Sequence, residues 1–208
     1  MTSPGRPWGV LLAAGASSRM GQHKLLLDVA GEVLVKRSAR ALLESGLAGL
    51  LVVLGREPEE VRRALTGLDY TFVVNPNYLR GGLSSSLALA LRTLGELAPP
   101  VSGAVLGLAD MPFVGPAHHR RVLEAAQGEQ AAISFYGEVL APPHFIPRSA
   151  FARVQDILED GLPKPLPRAL ITGAQRVSQP PADLLDIDDE PGYVQALARL
   201  ALEQGSGR

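Results

Sequence analysis

The chain has 208 residues, and its 20 lysines and arginines nearly balance its 21 aspartates and glutamates. This length suits one α/β domain with its own core, and the balanced charge argues against a nucleic-acid partner, which would need a basic stripe. The absence of cysteine excludes disulfides, thiolate metal sites and cysteine nucleophiles.

The N-terminal residues predict a cytoplasmic location. Residues 1–8 lack an apolar signal region, and no apolar run is long enough to span a membrane. We therefore expect no membrane contact, and a single domain over 1–208 whose ends at 1–7 and 204–208 are flexible.

The first element is a buried strand over 10–12, followed by a loop rich in glycine and serine. Small residues at 13–15 let a ligand approach the backbone closely, and exposed N–H groups in such a loop form an anion-binding concavity. Arg19 and Lys24 add cationic donors suited to phosphate oxygens. Because open α/β sheets bind ligands at the carboxyl ends of their strands, the pattern predicts a triphosphate-binding loop.

This loop matches neither the Walker A pattern nor the Gly-x-Gly-x-x-Gly fingerprint. It resembles the signature Leu-x-x-Gly-x-Ser-x-Arg-Met-Gly-x-x-Lys of the MobA-like nucleotidyltransferases. Its start resembles the molybdenum cofactor cytidylyltransferase branch, since the guanylyltransferase branch usually has glycine where Ala14 stands. The resemblance implies nucleotide contacts at Leu12, Ala13, Ala14, Gly15, Arg19 and Lys24.

The next segments alternate in the manner of βαβ units, which indicates a parallel sheet with right-handed crossovers. They are a short apolar segment at 25–27, a helix over 33–45, a strand over 50–54, a helix over 57–65 and a strand over 70–74.

A turn with glycines and serines follows at 75–86, before a predicted helix over 87–94. In one interpretation, a serine at such a helix start is a helix cap and nothing more. The segment also resembles the family's Asn-Pro-x-x-x-x-Gly-x-x-x-Ser-Leu region, which holds base and ribose, although it is one residue longer here. The resemblance implies that a pyrimidine edge is read at Asn75, Gly82, Ser84 and Ser85.

An aspartate follows the predicted strand over 103–108. At that edge of a doubly wound sheet, Asp110 lies beside the first loop, where a carboxylate suits Mg²⁺ bound also to substrate phosphates. In the alternative interpretation, Asp110 starts a turn before Pro112 and binds no metal. Asp110-Met111-Pro112 resembles the family's metal-binding position, which implies Mg²⁺ at Asp110 and nucleotide contacts at Leu108 and Asp110.

A helix over 116–127 and a strand over 131–135 come next, with adjacent histidines at 118 and 119 interpreted as surface residues. The string at 136–147 resembles a family segment that lines the acceptor pocket. We interpret its His144 as structural rather than as a contact to the acceptor phosphate.

The region after a predicted helix over 149–158 departs from the family pattern. The family has Gly-Asp-x-Gly-Ala-Arg there, whereas 159–168 of this chain carries prolines, before a short helix over 166–171. The identity of the acceptor therefore stays open.

The last segments are an edge strand over 176–178, an acidic stretch, and a closing helix over 193–203. Asp186 and Asp188 alternate, so they share one face of an extended segment. Composition alone favours the alternative, a solvated acidic turn. The stretch resembles the family's Asp-Ile-Asp-Thr-Pro-Glu-Asp-Tyr, which implies a second metal ligand at Asp188, with Asp186 in reserve.

Together these elements predict one α/β domain with a mainly parallel, Rossmann-like sheet and helices on both faces, and the resemblance implies a nucleotidyltransferase fold. An acceptor phosphate would attack the α-phosphorus of an NTP and release pyrophosphate. In that reaction Arg19 would hold the pyrophosphate, Lys24 would contact the phosphates, and Asp110 and Asp188 would place Mg²⁺.

The resemblance favours CTP as donor and molybdopterin, or its molybdenum-loaded form, as acceptor, with a molybdoenzyme as a possible recipient of the product. GTP as donor and a sugar or polyol phosphate as acceptor stay open as alternatives. So does a protein of another class, which binds and delivers the cofactor without turnover.

Overall fold

A computed structural model describes residues 5–15, 23–98, 100–127, 129–159 and 168–205. Within them a seven-stranded sheet has the order β3-β2-β1-β4-β6-β5-β7. The strands are β1 (Trp8–Ala13), β2 (Leu50–Leu54), β3 (Thr71–Val74), β4 (Gly103–Leu108), β5 (Ala132–Tyr136), β6 (Val139–Pro147) and β7 (Gln175–Gln179).

Helices cover both faces of this sheet, as the sequence predicts. They are α1 (Leu34–Leu43), α2 (Pro58–Ala64), α3 (Tyr78–Gly95), α4 (Pro116–Ala126), α5 (Phe151–Glu159), α6 (Arg168–Ile171) and α7 (Glu190–Gly205). The apolar segment after the first loop forms a 3₁₀ helix at Lys24–Leu26. Among the residues described, no helix has both the length and the apolar character needed to cross a membrane.

The sheet is buried on both faces, which explains the continuous apolar runs of its central strands. On one face, Val10 and Leu12 of β1 join a core with α3 and α5. On the other face, Leu11 and Ala13 join a core with α1, α2 and α4. All five residues of β2 are buried, so the prediction for this strand is confirmed.

β6 is the exception to the parallel arrangement, and it was missed in the sequence. It runs antiparallel to both β4 and β5, while the other strand pairs are parallel. The sequence interpretation took 136–147 only as a string that resembles a pocket-lining segment of the family, and the two consecutive prolines in it disfavour a strand. A turn with Gly137 at φ 64° instead reverses the chain between β5 and β6.

The helix α3 begins at Tyr78, well before the predicted start at 87. Gly82 interrupts it with φ 55° and ψ −145°, a conformation that residues with a side chain rarely adopt. The serines at 84–86 therefore lie within the helical segment, after the kink, rather than before its start.

The interpretation of His118 and His119 as surface residues is wrong. They are 7% and 2% exposed, because α4 packs directly on the sheet. His144 of β6 is 1% exposed, and its Nδ1 accepts the backbone N–H of Ser134 at 3.2 Å. The structural role expected for His144 is thus confirmed.

Candidate active site

Three charged side chains meet at the carboxyl edge of the sheet, beyond the ends of β1 and β4. The Lys24 ammonium, in the 3₁₀ helix, lies 2.7 Å from Asp110 Oδ2 and 2.7 Å from Asp188 Oδ1. Lys24 is 86 residues from Asp110 and 164 residues from Asp188 in the chain, so only the fold brings the three together. We call Lys24, Asp110 and Asp188 the Lys24 site.

Backbone hydrogen bonds set the spacing of the two carboxylates. The N–H of Ile187, which lies between Asp186 and Asp188, donates to the carbonyl of Asp110 at 2.9 Å. The N–H of Ala109 donates to the carbonyl of Leu12 at 3.2 Å, which joins the Asp110 turn to the end of β1. The segment before α7 is therefore fixed to the turn after β4.

The electrostatics of the site favour a cation. Burial by itself lowers the pKa of Lys24, but Asp110 and Asp188 outweigh it, so the pKa lies above its usual value of 10.5 and the ammonium stays charged. Burial, together with Asp188 and Asp110, raises the pKa of Asp186 above its usual value of 3.8. One ammonium thus faces a group of three acids.

The residues of the Lys24 site fit a Mg²⁺ ion. Asp110 Oδ1 is buried and has no hydrogen-bond partner within the described part of the chain, so one carboxylate oxygen is left for a ligand. No group of three or more His, Cys, Asp and Glu side chains able to hold a metal occurs among those residues. Mg²⁺ does not need one, because it commonly takes one or two carboxylates and completes its shell with water and phosphates.

The start of the predicted phosphate loop is described, and its centre is not. Ala13 and Ala14 are buried at the end of β1, whereas Gly15 is exposed. A side chain at Gly55, after β2, would lie 2.6 Å from the Ala14 carbonyl oxygen, so only glycine permits this approach. Residues 16–22 lie outside the described residues, so the role of Arg19 stays a prediction.

His23 anchors the other end of this loop beside Lys24. It is 7% exposed, and its Nε2–H donates to the carbonyl of Arg56 at 3.1 Å. The turn after β2 thus supports both ends of the loop. The sequence interpretation missed His23, and no motif marks it.

The predicted base and ribose residues form one hydrogen-bonded group around the kink in α3. The Asn75 amide, 3% exposed, donates to the hydroxyls of Ser85 and Ser86, each at 2.9 Å. Ser85 in turn donates to the carbonyl of Gly82 at 3.0 Å. Asn75 therefore holds the kinked segment in place, and the serines bond to a carbonyl rather than cap N–H groups.

Other predicted contacts fall at the same edge or outside the described residues. Leu12 and Leu108 are register partners in β1 and β4, so both lie where the Lys24 site begins. Ser84 is half-buried after the kink. The stretch 160–167, where the chain departs from the expected acceptor pattern, lies outside the described residues.

Comparisons with known proteins agree on a family. Residues 9–177 match the profile of the MobA-like NTP transferase domain. A probable molybdenum cofactor guanylyltransferase from Pelotomaculum thermopropionicum is 32% identical over 64% of this chain and 60% of that protein. Another from Natronomonas pharaonis is 34% identical over 69% of each chain.

A solved structure extends the likeness to almost the whole fold. A nucleotidyl transferase from Methanothermobacter is 26% identical, with a TM-score of 0.78, over 95% of this chain and 99% of that one. The match to the first curated relative spans only 60% of that protein's length.

Proposed function

This chain belongs to the MobA-like NTP transferase family, and on that premise we propose that it transfers a nucleoside monophosphate from CTP to the phosphate of a molybdenum-cofactor acceptor. The observation that carries the proposal is the Lys24 site. It places a cation and two carboxylates beside the loop predicted to bind phosphates.

In the proposed reaction an acceptor phosphate oxygen forms a bond to the α-phosphorus of the NTP, while the bond to the β-phosphate oxygen breaks and pyrophosphate leaves. No side chain forms a covalent intermediate, so the protein acts by positioning and by charge stabilisation. Lys24 stabilises negative charge on the phosphates, and backbone N–H groups at 13–15 bind them.

Asp110 and Asp188 would hold Mg²⁺, which supplies charge neutralisation and orients phosphate oxygens when bound. With such an ion bound, the two carboxylates would be shared between it and the Lys24 ammonium. We propose that Lys24 gives up part of its contact with the carboxylates and turns to the phosphates when these bind. Arg19 would hold the leaving pyrophosphate.

CTP as donor is supported by two features at the predicted base site. Ala14 stands where the guanylyltransferase branch has glycine, and it is 7% exposed against Gly55. The kink at Gly82 is held tightly by Asn75 and Ser85. We infer that both features leave less room for a purine.

GTP is the second candidate donor, because both curated relatives described above are named guanylyltransferases. Their names also support a molybdenum-cofactor acceptor over a sugar or polyol phosphate.

A substrate matrix tests the proposal. Each NTP is combined with molybdopterin, its molybdenum-loaded form, and sugar and polyol phosphates, and Mg²⁺-dependent pyrophosphate release is measured against an Asp110→Asn control. We expect release with CTP and a molybdopterin acceptor. Release with GTP alone would reassign the donor, and no release with any pair would favour a binding and delivery protein.

A further inference from the structure

The turn that carries Asp110 is held by side chains from α1. Ala109, Asp110 and Pro112 each have a backbone carbonyl bonded to another part of the chain. The Ser38 hydroxyl donates to the Ala109 carbonyl at 3.2 Å, and Arg37 Nε donates to the Pro112 carbonyl at 2.8 Å. The carbonyl between them, that of Asp110, accepts from Ile187.

Ser38 stands on a helix face that is otherwise apolar. It is 6% exposed, and Leu34, Ala39 and Leu42 on the buried side of α1 are fully buried. A serine at such a position lowers helix propensity relative to alanine and buries a hydroxyl. The hydroxyl lies 3.3 Å from the Leu34 carbonyl of its own helix and closer to Ala109, so it links the helix to the Asp110 turn.

Arg37, the residue before Ser38, bonds the same turn at Pro112, three residues after Ala109. It is half-buried, and its charged donor makes the shorter of the two bonds to the turn. Charge-assisted hydrogen bonds of this kind are stronger than those between neutral groups. Neighbouring residues of α1 thus grip the backbone on both sides of Asp110.

We infer that Ser38 and Arg37 are positioning residues, which hold the Asp110 carboxylate where it meets Asp188 and Lys24. The inference rests on the proposed function, since it assigns a task to α1 within that site. Mg²⁺ demands near-ideal octahedral geometry, and displacement of a ligand by about 1 Å is enough to weaken a site severely. If the turn could shift, the protein would therefore lose metal binding while it stayed folded.

Metal binding measured without turnover tests this inference. Mn²⁺ serves as a spectroscopic probe, titrated against the full chain by electron paramagnetic resonance. Ser38→Ala is compared with Ser45→Ala, because Ser45 is also buried and its hydroxyl donates to the Leu42 carbonyl of its own helix region rather than to the Asp110 turn. Arg37→Met is compared with Arg40→Met, because Arg40 is exposed and pairs with Glu32.

We expect Ser38→Ala and Arg37→Met to weaken Mn²⁺ binding about tenfold, with Ser45→Ala and Arg40→Met close to the wild type. Ser38→Ala and Ser45→Ala should lower the melting temperature by similar amounts, because each removes one buried hydroxyl bond. Equal Mn²⁺ affinities within each pair, or a wild type that binds no Mn²⁺, would overturn the inference. A wild type that binds Mn²⁺ but releases no pyrophosphate would overturn the proposed function and leave the inference standing.

Discussion

Two regions of this molecule bury polar side chains, and they do so in opposite ways. The Lys24 site is charged and leaves Asp110 Oδ1 without a hydrogen-bond partner in the described structure. The second region, the Gln179 cluster, consists of Gln179, His118, Ser134, His144 and Arg121, between α4 and the strands β5, β6 and β7.

Gln179 uses its whole amide within that cluster. Its Nε2 donates to the His118 carbonyl at 3.2 Å and to Ser134 Oγ at 3.0 Å. Its Oε1 accepts from Arg121 at 3.0 Å. The N–H of Ser134 then donates to His144 Nδ1. The cluster is a satisfied network that joins elements of the core.

The difference separates buried groups that bind a ligand from buried groups that stabilise the fold. A buried group whose bonds are all made within the protein stabilises the fold, because breaking one bond leaves a partner unpaired. A charged group at the edge of a sheet, with an oxygen that no described residue bonds, is a candidate for binding a ligand. Substitutions in the Lys24 site should therefore change activity, whereas those in the Gln179 cluster should change stability.

The largest effect should come from Asp110→Asn. Loss of a metal-binding charge should lower turnover by a factor on the order of a thousand, equivalent to about 4 kcal/mol. The melting temperature should stay nearly unchanged, because asparagine keeps the shape and Lys24 keeps Asp188. Asp188→Asn should act in the same direction more mildly, since that carboxylate is more exposed. Steady-state kinetics and calorimetry measure both effects. An active Asp110→Asn enzyme would contradict the assignment of activity to the Lys24 site.

Lys24→Ala should lower turnover by a factor on the order of a hundred, because charge is lost where negative charge develops. The protein should remain folded, and Mn²⁺ binding without nucleotide should be at least as tight as in the wild type, since the ammonium no longer occupies the carboxylates. Kinetics and a Mn²⁺ titration separate the two effects. Unchanged kcat would remove Lys24 from the chemistry.

Gln179→Leu should destabilise the fold by about 2 kcal/mol, or roughly 4–8 °C in melting temperature, because buried partners lose their bonds. The matched control is Gln175→Leu on the same strand, where an exposed amide bonds to Gln130 and its loss should cost little. Thermal unfolding measures both. If turnover fell in Gln179→Leu while stability held, the cluster would belong to the active site.

The smallest effect is a dependence of stability on pH. Burial lowers the pKa of His119 and of His144 to about 3, against 6.5 for an ordinary histidine. Between pH 3 and pH 6.5 the unfolded chain binds more protons than the folded chain. The stability that the neutral histidines contribute is therefore complete above pH 6.5 and falls as the pH drops towards 3. At pH 5.5 each histidine should lower the free energy of unfolding by about 1 kcal/mol.

Urea unfolding at pH 7.5 and pH 5.5 measures that loss. His144→Gln keeps a hydrogen-bond acceptor for Ser134 but cannot titrate, so its loss between the two pH values should be smaller by about 1 kcal/mol. An equal loss in the variant and the wild type would contradict the buried, neutral state of His144.

The sequence by itself determined the strands β1, β2 and β4 and the place of Asp110 in the sheet. The short apolar runs that became β1, β2 and β4 are typical of buried parallel strands, and this pattern depends on residues only a few positions apart. Asp110 lies two residues after β4, so its position at the carboxyl edge follows from the topology of any parallel sheet.

Only the tertiary structure decided the direction of β6, the burial of His118 and His119, and the contacts of Lys24. The prolines of β6 disfavour a strand locally, but pairing with β4 and β5 on both sides outweighs that preference. The contact of Lys24 with Asp188, 164 residues away, depends on how the whole sheet brings its ends together. Local patterns cannot encode such contacts, because their energy arises from the packing of elements distant in the chain.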